Sequence, residues 1–300
     1  MPRGRGSLTL EGVVAATPTV RRLRLGAELR RLREVFGPTA EEVASRLEWS
    51  PSKLSRIETA KIGVRVSDVR LLLELYQVDE VHMGEILALA QSATESGWWT
   101  RYRDALTEKF AAYVALEDEA NAALTYDTYV IPGLLQSEDY ARRTLETSRA
   151  IAAFSPRDIA RRVEVRRRRQ ELLTKENPLA LSAIVDESAL LRVVGDKDIM
   201  QKQLRTLVEL SALPNVEIFV LPLDVHREPI VSESFTLLEF APSYDVSFPD
   251  IAHIENLSVS VEVQDDGITH MYRRSWEALR QAALPSGESI RRISALAAPR

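Results

Sequence analysis

Ser52, Lys53, Ser55, Arg56 and Thr59 crowd hydrogen-bonding groups into one short stretch of chain. At ~100° per residue, a helix puts Ser52, Ser55, Arg56 and Thr59 on one face with Lys53 on its flank. Leu54 and Ile57 then fall on the opposite face. A narrow apolar seam under a polar outer face suits a helix lying in the major groove of duplex DNA. There, arginine pairs with guanine O6 and N7, and hydroxyls bond base edges or phosphates. The alternative for the same pattern is an ordinary helical hairpin with no ligand.

Catalytic chemistry has little to stand on. The four histidines, His82, His226, His253 and His270, lack metal-ligand spacing. The chain has no GxGxxG or GxxxxGK[ST] phosphate loop and no GxSxG nucleophile turn. Asp186 and Glu187, closing an apolar run, are the best carboxylate pair for a cleft at a strand end; the plainer reading has one of them cap the next helix. His226, Arg227 and Glu228 after Pro222 form either a polar ligand loop or simply a loop. No catalytic residue, metal or cofactor is therefore expected.

The polar face needs a scaffold, and the flanking residues supply one. Thr39 follows Gly37-Pro38 and has Glu42 three residues on, a capping-box start, and the helix it opens presents Val43, Ala44 and Leu47. Ser50 and Pro51 restart the chain as the second helix, one as N-cap and the other as a first residue that loses only an unpaired donor. Upstream, over 19–36, Leu25, Leu29, Leu32 and Phe36 make an apolar stripe. Arg21, Arg22, Arg24, Arg30 and Arg31 crowd the other faces, mostly solvated, some near the phosphate backbone. Downstream, Ser67 caps a fourth helix and Asp79 starts a fifth. Thr39 and Ser50 at helix N-termini, with Thr59, Lys61 and Arg65, are the candidate phosphate contacts. Residues 1–18, with Arg3 and Arg5, read as a flexible arm.

The stretch Thr39 to Ala60 resembles an Xre-type (lambda-repressor-like) helix-turn-helix. The likeness lies in Ala44, the apolar positions Val43, Leu47, Leu54 and Ile57, and the acidic Glu58. It implies a five-helix DNA-binding bundle over 19–92 and a structural ion pair between Arg33 and Glu58. Where that family often has glycine, in the turn and just after the second helix, this chain has Glu48 and Ala60. The turn is therefore expected to differ slightly or to be less stable.

A polar stretch from Gln91 to Gly97 marks a domain boundary. Beyond it, 98–300 reads as a mixed α/β domain. Trp98, Trp99 and Tyr102 open a helical region, and Ser155-Pro156 begins a long helix carrying Arg166 to Arg169. Strands are expected over 179–185, 216–221 and 235–240, with a hairpin over 251–263. Four successive arginines point around a whole helix, so that run reads as solvated or internally paired, with Glu164–Arg168 and Asp158–Arg162 spaced as ion pairs. The blocks VIPGLLQSEDYAR, RRVEVRRRRQELL, IVDESALLRVVG, QKQLRTLVELSALPNVEIFVLP and SESFTLLEF resemble the uncharacterised C-terminal domain of actinobacterial, antitoxin-like Xre regulators. That resemblance implies transcriptional regulation and sometimes a small protein partner.

Composition sets the outer limits. In 300 residues, 45% apolar and 28% charged, two ordinary domains can each bury a core. With no cysteine, disulfides and thiol chemistry are excluded. No apolar run approaches the ~18 residues of a membrane span, so a cytoplasmic protein is expected. A net charge of −5 means that DNA contact must come from a local surface. One short reading helix covers few base pairs, so a homodimer on two half-sites is expected, the second domain sensing a small-molecule effector or a small protein partner. The alternative is an antitoxin-like protein that restrains a small partner and binds DNA to regulate itself.

Overall fold

A computed structural model describes residues 20–95, 97–147, 155–224, 233–242, 248–255 and 260–298. The chain divides into two compact units, Met1–Glu95 and Ser96–Arg300. The arm at 1–18, the His226–Glu228 loop and the Asn256–Ser258 connection lie outside the described residues.

Unit one holds α1 (Val20–Phe36), α2 (Ala40–Arg46), α3 (Pro51–Glu58), α4 (Val66–Leu75) and α5 (Glu80–Ser92). Leu25, Leu29, Val43, Leu54, Ile57, Val69, Leu72 and Ile86 close its core, each apolar side chain contributing about 1.5–3 kcal/mol on burial. Three expectations change. Phe36 is 40% exposed, because the last turn of α1 runs past the core. Ser67 caps nothing: α4 begins at Val66, with Arg65 at the cap position and no side-chain cap bond. The arginines of α1 are paired even where they remain solvated, as Arg30 and Arg31 do. Arg30 meets Glu34, Arg31 meets the buried Glu28, Arg21 meets Glu95, and Arg24 is itself buried.

Unit two begins with a 3-10 turn, Trp98–Tyr102, then α6 (Glu108–Glu119), β1 (Ala122–Asp127), α7 (Glu138–Thr147) and α8 (Pro156–Gln170). Next come β2 (Ala180–Asp186), α9 (Glu187–Leu191), α10 (Lys197–Leu210), β3 (Val216–Leu221), β4 (Phe235–Glu239), β5 (Ile251–Glu255) and β6 (Ser260–Val263). Two helices, α11 (Asp266–Ala282) and α12 (Ser286–Ala297), end it. The sheet runs β3-β2-β1-β4-β5-β6. β1, β2 and β3 are parallel, while β4, β5 and β6 pair antiparallel, so the sheet is mixed as expected.

The strand at its centre, β1, is absent from the sequence reading. Period-two alternation explains both faces. Tyr126 packs with Phe235, Phe219, Ile184 and Leu279 beneath α11, whereas Ala123, Thr125 and Asp127 point to the side where Tyr113 of α6 stacks on His253 of β5, ring centroids 3.9 Å apart.

Candidate nucleic-acid interface

Local bonds set the pose of α3. Thr39 Oγ1 accepts from the Glu42 N–H while Glu42 accepts from the Thr39 N–H, at 3.2 and 2.8 Å. Ser50 Oγ accepts from the Lys53 N–H at 3.2 Å, with Pro51 opening the helix. Each cap satisfies donors that a helix start leaves unpaired, worth about 1 kcal/mol. Between the two helices Glu48 takes φ 55°, and Ala60 takes φ 54° just after α3. The left-handed turn geometry is thus kept without glycine, at a cost of about 1–2 kcal/mol per residue.

The far end of α3 is held against α1. Arg33 Nε and Nη2 donate to Glu58 Oε1 and Oε2 at 2.7 and 2.9 Å, and both side chains are largely buried. The bonds to Glu58 raise the guanidinium above its ordinary value against the opposing effect of burial. Beside them, Gly26 lets the two backbones meet: a Cβ there would lie 2.6 Å from the Glu58 carbonyl oxygen and 2.9 Å from that of Ile57. Helices approach this closely only through glycine.

Leu54 and Ile57 are buried, while Ser52, Ser55, Arg56 and Thr59 are exposed. Among the described residues Arg56 makes no side-chain hydrogen bond or ion pair, and its five donors face outward. Ser52 Oγ lies 3.1 Å from Ser50 Oγ, and Thr59 Oγ1 donates to the Ser55 carbonyl at 2.7 Å. Lys61 and Arg65 are exposed beyond α3.

Lys53 is placed differently from the outward contact expected of it. Its Nζ donates to Asp68 of α4 at 3.0 Å and sits 3.5 Å from the Trp49 ring centroid. Neither Asp68 nor Trp49 is marked in the sequence as a partner on this face, since an acidic residue fifteen positions from a lysine carries no local periodic signal.

Elsewhere the carboxylate pair is structural. Asp186 caps α9 by accepting from the Ser188 N–H at 2.9 Å. The buried Glu187 accepts from Arg292 Nε at 2.6 Å and from the Leu223 N–H at 3.1 Å. Among the described residues no His, Asp or Glu group is arranged to hold a metal, and no helix is long and apolar enough to cross a membrane.

Paired caps, a two-point anchor and an exposed polar outer face define a helix-turn-helix module, joined here to a mixed α/β domain. Residues 24–85 match the family model described as a helix-turn-helix domain, which marks a DNA-binding regulator. Residues 110–295, more than half of the chain, match the model described as Domain of unknown function (DUF5753), and the chain belongs to that family. No curated protein and no solved structure matches it.

Proposed function

We propose that this protein is a sequence-specific transcription regulator of the Xre type that grips duplex DNA as a homodimer through α3. The observation that carries the reading is Arg56: exposed, without a partner among the described residues, and in the last turn of a helix anchored at both ends. Arg56 reads a guanine edge, and Ser52 and Ser55 bond neighbouring bases. Thr39, Ser50, Thr59, Lys61 and Arg65 hold phosphates. The Oγ1 of Thr39 and the Oγ of Ser50 are already capping, so each offers a phosphate its hydroxyl proton or an adjacent backbone N–H. Lys53 serves first as a strut to Asp68. The α/β domain, with no catalytic constellation among the described residues, senses a small effector and biases the dimer rather than turning over a substrate.

Selection of bound duplexes from a randomised pool by the full-length chain tests this. The expected outcome is a two-fold symmetric consensus with half-sites about one helical turn apart. A pool that shows no enrichment, with binding equal on every sequence, rejects it.

A further inference from the structure

Between α6, α8 and the sheet lies a cavity of about 300 Å³, at the small end of metabolite-sized sites. Ala123, Thr125 and Asp127 of β1 and Thr236 and His253 of β4 and β5 form its floor; Arg166 and Arg169 of α8 and the segment 129–134 form its walls. That segment is pinned by side chains. Gln136 Nε2 donates to the Ile131 carbonyl at 2.7 Å, and Gln170 Nε2 to the Leu134 carbonyl at 3.1 Å. Nearby, Gln203 Nε2 donates to the Leu135 carbonyl at 2.8 Å. The site is therefore preformed.

Its charges do not cancel locally. Arg169 is compensated: Nε and Nη2 each donate to Glu117 at 2.6 Å, and Glu117 also accepts from Tyr113 Oη at 2.9 Å. Arg166 is not. Its Nη1 donates only to neutral oxygens, Gln136 Oε1 at 2.9 Å, Thr144 Oγ1 at 3.1 Å and the Ala141 carbonyl at 3.4 Å. Among the described residues no carboxylate lies within ion-pair distance, and neither Nε nor Nη2 has a hydrogen-bond partner. Burial, then the charge of Arg169, lowers this guanidinium to about 10, with the more distant charge of Glu255 opposing them only in part. A cation left partly buried without a counter-charge in contact is destabilising, so the arrangement favours an incoming anion. Across the cavity, Asp127 has one hydrogen-bond partner among the described residues, Thr125 Oγ1 at 3.0 Å, and spare acceptor capacity. Tyr129, 71% exposed, stands at the rim.

We propose that this cavity is the effector site and takes a small organic acid: its carboxylate on Arg166, a hydroxyl or amine donor on Asp127, and its apolar body against Tyr113, Tyr129 and Val130. One cation with no carboxylate in contact matches a monoanion, whereas the acidic Asp127 and Glu255 on the sheet side of the cavity disfavour a dianionic phosphate. This assignment rests on the reading that the α/β domain senses a small molecule.

The test is calorimetric titration of the full-length chain, without DNA, using para-hydroxyphenylacetate, its neutral amide and phenylacetate. Saturable binding of the acid is expected, with the amide weaker by roughly ten- to hundredfold, the worth of a charge-assisted hydrogen bond, and phenylacetate weaker for want of the donor. Arg166→Gln should lose a similar factor. Because Arg166 also braces α7, Tyr129→Ala, at an exposed position that folding does not need, provides a second variant and should lose severalfold. No saturable binding of the acid, equal binding of the amide, or unchanged affinity in both variants overturns the proposal. The same titration repeated on a selected duplex separates the two claims. Acid binding that leaves DNA affinity unchanged keeps the site and removes its sensing role.

Discussion

Arg33 and Glu58, twenty-five residues apart, face each other through two parallel hydrogen bonds of 2.7 and 2.9 Å, fastening α1 to the last residue of α3. Planar guanidinium and carboxylate forks match, so the pair fixes orientation as well as distance. Glu58→Gln leaves a largely buried arginine with only the more distant Glu34, 3.9 Å away, as counter-charge and should cost about 2–4 kcal/mol. Hydrogen exchange of the α3 amides in the full-length chain reads this directly. Protection unchanged from wild type would mean that the pair does not hold the helix.

Gly26→Ala sets two effects against each other. Alanine gains about 1 kcal/mol of helix propensity, but its Cβ would meet the Glu58 carbonyl oxygen at 2.6 Å. Overpacking against backbone costs about 1–3 kcal/mol, so a lower melting temperature is expected. A rise would show that α1 and α3 can separate freely.

Lys53 and Asp68 define a cation held back from the outer face. Asp68→Asn should release it and steepen the salt dependence of DNA binding by about one counterion. Lys53→Ala should change affinity much less than Arg56→Ala does. Equal losses for the two would place Lys53 on the DNA despite its partner.

The two helix starts, Thr39 with Glu42 and Ser50 with Pro51, were legible because capping needs only neighbours in sequence. The apolar register of α2 and α3 was legible for the same reason. The turn was legible only in part: glycine's absence at 48 and 60 pointed to altered geometry or lower stability, and Glu48 and Ala60 keep the left-handed geometry while carrying its strain themselves. Strand β1 was missed because Ala122, Ala123 and Leu124 follow a helix and have weak strand preference; tertiary pairing on both sides makes them a strand. The arginine run hid a simple signal. Positions three apart share a helix face, so Arg166 and Arg169 turn inward together while Arg167 is exposed. The spaced pair Glu164–Arg168 gave way to a bond from Tyr102 Oη to Glu164 at 2.9 Å.

Asp127 gives the α/β domain a pH signature. Burial is the main cause that lifts its carboxyl from 3.8 to about 6; the charge of Glu255 adds to this, while the Thr125 bond and the charge of Arg169 oppose it. The folded state thus holds the proton more tightly than the unfolded chain. The stabilisation is complete below pH about 4 and lost as pH rises through about 6. Asp127→Asn cannot ionise, so it should flatten that window and be about 1–3 kcal/mol more stable than wild type near neutral pH. Parallel stability–pH curves for the two proteins would contradict the assignment.

Arg56 bears most of the functional reading, and its removal is the most direct measurement. Binding of a selected duplex and of single-base variants of it should be titrated across a salt series for wild type and Arg56→Ala. A loss of about 1–3 kcal/mol on the preferred duplex is expected, with relaxed discrimination at one base pair of each half-site and undiminished discrimination elsewhere. Equal weakening on every duplex would make Arg56 a phosphate contact, and no loss at all would take α3 out of the major groove.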